Sequence, residues 1–183
     1  MSNLFIKTAI RSMFVFTSRR RALKQASELA VKYTELARGI SDDIGRLCIE
    51  VPLMRGVDED MRRWSFYMIL EHNTIVNKSI TAAVCQLAKG ERLHDAAKID
   101  IKKDVMPSHS AGKEQLKAFQ KSVEEHSDSL NRLGRLRGTE TSAHPIFGNF
   151  DAHKWNCMFS FHLSLHYPQS VHVAKIAKAE QGS

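Results

Sequence analysis

Residues 61–90, MRRWSFYMILEHNTIVNKSITAAVCQLAKG, decide the fold. Met68, Ile69, His72, Ile75, Val76, Ile80, Ala83, Val84 and Leu87 recur there at steps of three and four. That is the stripe of a helix with one face in a core. The spacing predicts a long helix from about Met61 to Lys89, with Gly90 as its C-cap. Asp58, Glu59 and Asp60 place negative charge ahead of it, where a helix N-terminus favours it.

The same period extends outward in both directions. Residues 19–47 carry Leu23, Ala26, Leu29, Ala30, Tyr33, Leu36 and Ala37, until Gly39 ends or bends the helix and Ser41 caps a short continuation. Pro52 and Gly56 mark a loop. Residues 91–109 are charged, contain Pro107 and read as a connection, with a weak hint of extended chain at 98–105. Ser108 or Ser110 can start a third helix with Leu116, Phe119, Val123, His126, Leu130 and Leu133 on one face. Gly134, Gly138 and the run to Pro145 break the pattern. Asn149 or Asp151 can cap a last helix from about Ala152 to Lys178. No stretch alternates as a half-buried strand does. The expected fold is all-α, an antiparallel four-helix bundle with an added N-terminal helical segment.

Size and composition agree with this. The chain has 183 residues, 43% hydrophobic and 26% charged, which suits one folded domain over 1–183, with 1–18 as an N-terminal extension. Nothing approaches the roughly 20 consecutive apolar residues of a membrane span. The cysteines Cys48, Cys85 and Cys157 are odd in number and far apart, which points to a reducing, cytoplasmic setting without a disulfide framework.

Charge is uneven. Of 27 basic residues, Lys7, Arg11, Arg19, Arg20, Arg21 and Lys24 precede the first acid, Glu28, and leave the remainder nearly balanced. A nucleic-acid-binding domain spreads its basic residues over a docking face, so that class is excluded. The basic, acid-free N-terminus fits an organelle transit peptide or, in preference, the first half of an amphipathic helix that continues into the next segment, with a solvated basic face and a docking stripe of Ile6, Ile10, Met13 and Phe16. A protein held on a membrane surface by residues 1–24 is a rival reading.

The stretch HLSLH at 162–166 carries the chemistry. In a helix, His162 and His166 lie one turn apart with Cβ atoms about 5–6 Å apart. Both can reach one metal at about 2.0–2.1 Å. His72 faces inward from its own stripe and supplies a third imidazole. No glutamate stands beside the pair as in the HExxH motif, so no general base is identified. Three neutral imidazoles leave a divalent ion positively charged with an open position, suited to water, a thiolate or an anionic group. Trp155, two turns before His162, can wall a pocket there.

Other candidates read as structural. His126 is expected to be a hydrogen-bonded core residue rather than a fourth ligand, and His144 a loop stabiliser. His153 lies about 180° around the helix from His162 and is expected to face solvent. His172 is off the ligand face. Cys157 reads as buried packing and Cys85 as partly buried filler. Phe159 and Phe161 should pack on neighbouring helices, and Phe147 and Phe150 should cover one end.

The segments WSFYMILEH (64–72) and HPIFGNFDAHKW (144–155), followed by His162 and His166, resemble the DinB-like superfamily of YfiT-like metal-dependent hydrolases, over roughly residues 20–178. The likeness is to a branch with a His-Pro-x-Phe-Gly loop before the last helix. The resemblance implies a four-helix bundle in which His72, His162 and His166 hold a divalent metal, zinc or nickel foremost. It implies an enzyme of the hydrolase or thiol S-transferase type acting on a small molecule, with a low-molecular-weight thiol as a candidate partner. Homodimer formation through an exposed apolar face fits a bundle of this size. Pro168 departs from the pattern and is expected to kink the last helix beside the site. The rival class is a noncatalytic helical binding protein with a structural His cluster.

Overall fold

The computed structural model describes residues 3–92 and 104–181. The molecule is mostly helical. In chain order come α1 (Asn3–Phe16), α2 (Arg19–Ala37), the short α3 (Asp42–Gly45), a 3-10 turn (Glu59–Met61), α4 (Phe66–Ala88), α5 (Glu114–Arg132), strands β1 (Thr141–His144) and β2 (Gly148–Asp151), and α6 (Ala152–Gln181).

The helix limits follow from local chemistry. The basic N-terminal segment is a helix of its own, not the first half of α2. Ser18 separates the two by accepting a hydrogen bond from the Arg21 backbone N–H. Ser65 does the same for Met68, so α4 begins five residues later than the acidic cluster suggested. Asp58, Glu59 and Asp60 belong instead to the 3-10 turn and its cap. Gly90, with φ of 80°, follows the end of α4 in the left-handed conformation that glycine tolerates best. α5 starts at Glu114 rather than at Ser108 or Ser110, whose hydroxyls bond each other. α6 runs unbroken through Pro168. Of the weak extended hint at 98–105, residues 98–103 lie outside the described residues, and Asp104 and Val105 form a turn.

The chain also forms a hairpin where no strand was expected. β1 and β2 pair antiparallel, with Thr141 opposite Asp151 and His144 opposite Gly148. The turn spans Pro145–Phe147 and closes on Gly148, whose φ of 77° is a position for glycine. Four residues per strand are too few for an alternation to register.

Among the long helices, contacts join α2 to α6, α6 to α4, α4 to α5 and α5 to α2. Side-chain pairs give their directions. Asn77 meets Ser122 and Thr81 meets His126, so α4 and α5 run the same way. Gln25 meets Ser160, and Tyr33 meets Leu163 and Tyr167, so α2 and α6 also run together. His72 lies by His162 and His166, whereas the Thr81–His126 layer reaches Asn156, so α4 opposes α6. Tyr33 packs on Phe119 and Arg19 bonds the Leu133 carbonyl, so α2 opposes α5. The expected all-antiparallel arrangement is therefore corrected: two neighbouring pairs are parallel. The connection from α4 to α5 spans more than twenty residues, long enough to return the chain to the end where α4 began.

The core is centred on Tyr33, Phe66, Ile69, Leu70, Phe119, Phe159 and Leu163. A second aromatic group fixes α1 and the hairpin on α6. Phe14 packs edge-on against Phe150 and Phe161, with ring centres 5.7 and 5.6 Å away. Of the expected docking stripe only Ile10 joins the core, and Met13 and Phe16 face outward while Phe14 points in.

Candidate metal centre

His72 projects from the first turns of α4, and His162 and His166 from consecutive turns of α6. All three are buried, and each offers one ring nitrogen within 4.8 Å of the others. The sequence placed these three together, and the structure does too. His72 Nε2 and His162 Nε2 are 3.2 Å apart. Two nitrogens at about 2.05 Å from one tetrahedral ion would be about 3.3 Å apart. No two ligands of one ion can be more than about 4.2 Å apart, so any pair at the outer end of the range must draw in slightly to close on it.

Neighbouring groups fix which nitrogen carries the proton. His72 Nδ1 lies 2.7 Å from the Val105 carbonyl oxygen, which can only accept, so Nδ1 donates and Nε2 keeps its lone pair. His166 Nδ1 lies 3.0 Å from Gln169 Oε1. The other side of that amide, Nε2, donates to the Met61 carbonyl at 2.7 Å, which sets Oε1 as an acceptor. His166 Nδ1 must then donate, and its Nε2 is also free. Such partners orient metal-binding imidazoles and settle their tautomer. His162 Nδ1 is buried without a hydrogen-bond partner.

Burial keeps the cluster neutral. Desolvation first, then the neighbouring His166, push His72 down to about 3, against a smaller opposing effect of the Val105 carbonyl. His162 is pushed well below the usual histidine value by burial and then by His166 and His72. Burial lowers His166 as well, resisted by Gln169 and Asp58. Neutral imidazole is the form that donates a lone pair to a metal.

Trp64 closes one side, its ring centre 4.9 Å from that of His72 and 6.4 Å from that of His166. Trp155 does not wall this site. Its Nε1 donates to Ser142 Oγ at 2.8 Å, and its ring packs on His144 and Phe150 of the hairpin. Trp64, Val105 and Gln169 were missed by sequence reasoning. Only Gln169 left a trace, three residues after His166 and so on the same helical face.

The remaining histidines divide as follows. His126 is a buried core residue between Thr81 and Asn156, stacked 3.7 Å from Phe159, and burial lowers it to about 4. His144 Nδ1 accepts from the Ile146 and Phe147 backbone N–H groups and stabilises the hairpin loop. His153 was expected in solvent and is instead buried, its Nε2 donating to the Phe14 carbonyl at 3.1 Å. The physical reason is α1, which covers that face of α6. Cys157, four residues on, lies buried under the same helix, and burial raises its thiol to about 12, so it is no nucleophile. Cys85 is half-buried and Cys48 exposed. No helix among the described residues is long and apolar enough to cross a membrane.

Comparison with family models, curated proteins and solved structures found no match.

Proposed function

We propose that the chain is a divalent-metal protein of DinB-like type, a four-helix bundle of α2, α4, α5 and α6 that acts as an enzyme on a small molecule. One observation carries this reading: three buried, neutral imidazoles from two helices converge, and two of them have Nε2 freed by a fixed partner on Nδ1. His72, His162 and His166 would hold the ion, zinc or nickel foremost. When bound, the ion supplies Lewis acidity toward a water or thiol, the chemistry of a hydrolase or thiol S-transferase. Of the chain's own groups, Val105 and the Gln169–Met61 pair orient the ligands, and Trp64 keeps water from one side. Three thiols without a disulfide support a reducing, cytoplasmic setting.

Burial favours a second reading. His72 and His166 are each 2% exposed, as in a site that holds the structure together rather than meeting substrate. Cobalt substitution separates the two. With cobalt bound in place of the native metal, an added small thiol should change the visible absorption if the ion has an open position for it. A cobalt spectrum unmoved by thiols and small anions would leave only the structural reading.

A further inference from the structure

Helix α1 has two apolar faces, and only one is used. Phe14 is 1% exposed and wedged between Phe150 and Phe161, and Ile10 packs beside it. That anchor points Phe5, Ala9, Met13 and Phe16 outward, at steps of four, four and three along one stripe. Phe5 is 65%, Met13 45% and Phe16 85% exposed, an unusual concentration of large apolar side chains in solvent. The helix is held where it lies. Arg137 donates to the Val15 and Thr17 carbonyls, and His153 to that of Phe14.

The charge carried by α1 and the first half of α2 has one sign. No acid precedes Glu28, and Arg11, Arg20 and Arg21 are exposed. Arg21 lines the same cleft of about 360 Å³ as Met13 and Phe16, which places a guanidinium against the apolar stripe. A second copy of the chain would bring like charges together at this face, which costs rather than gains free energy. An anionic bilayer offers the complement: acyl chains for the phenyl rings and phosphate or carboxylate groups for the arginines. From this geometry we infer that α1 is a membrane-surface helix that lies in the plane of an anionic bilayer, with Phe5, Met13 and Phe16 inserted and Arg20 and Arg21 on the headgroups. The inference stands apart from the metal site and does not depend on it.

Cosedimentation of the full chain with vesicles tests it. Binding should be strong on vesicles of phosphatidylcholine and phosphatidylserine in equal parts, weak on phosphatidylcholine alone, and reduced by salt. The triple variant Phe5→Ser, Met13→Ser, Phe16→Ser should stay in the supernatant while keeping the helical circular dichroism of the wild type. Replacing Arg20→Gln and Arg21→Gln together should weaken binding by about an order of magnitude, and this variant carries the test if the triple variant does not fold. Wild-type protein that ignores anionic vesicles, or variants that bind as the wild type does, would overturn the inference. So would a dimer in solution that the triple variant abolishes, because the stripe would then belong to a second copy.

Discussion

Gln169 illustrates how much one side chain decides. Its amide is oriented at one end by the Met61 carbonyl, and at the other it settles the His166 tautomer. Gln169→Leu leaves two buried polar groups unpaired, which should cost about 1–3 kcal/mol of stability for each. It should also weaken metal binding by about 10–100-fold, as loss of such orienting partners does. Chemical denaturation and competition with a coloured chelator measure the two effects, and unchanged metal affinity would remove the positioning role. His126 gives a prediction in pH. Burial holds it near 4 in the folded chain, whereas unfolded histidine titrates near 6.5. Above about pH 6.5 both states are neutral and its contribution is complete. Between about 6.5 and 4 the unfolded chain binds a proton that the folded chain refuses, so stability falls with pH. His126→Gln should flatten the denaturation midpoint over that window relative to wild type. An equal slope in both would show that His126 is not kept neutral. The three clustered histidines were legible at this scale, His72 because an imidazole among Ile and Val at helical steps must face inward, and His162 and His166 because a four-residue spacing puts both on one helical face. Trp64 and Val105 were not, because loop residues reach a site through tertiary folding that no periodicity encodes.

At the scale of elements, the long helices were legible and their edges less so. Apolar steps of three and four survive any tertiary context, but caps depend on which nearby hydroxyl wins. Ser65 and Ser18 prevailed over the acidic cluster at 58–60 and over continuity through residue 17. The hairpin left no signal because its strands are four residues long and its burial is shared with α1. That sharing gives a test of how α1 is held. Phe14→Ala removes the ring between Phe150 and Phe161, a loss of about 3–5 kcal/mol where a large aromatic is fully packed. Because α1 lies at the periphery, the loss should appear as local opening. Amide exchange should accelerate across residues 5–17 while α4 and α5 stay protected. Uniform acceleration through the molecule would mean that α1 is part of the cooperative core.

At the scale of the whole molecule, helix direction was the feature that sequence could not supply. A connection of more than twenty residues permits either a return beside α4 or a crossing to its far end, and side-chain pairs such as Asn77–Ser122 and Thr81–His126 decide it. The resulting arrangement sets α4 against α6 and brings residue 72 level with residues 162 and 166. An ion held there would tie two helices distant in sequence, so folding and metal binding would be linked. Titration of the tag-free, metal-stripped chain with zinc and with nickel in a calorimeter addresses this most directly. One ion per chain is expected, with binding lost in His72→Ala and in His162→Ala while both variants keep their helical content. No binding by the wild-type chain, or binding that survives both substitutions, would contradict it.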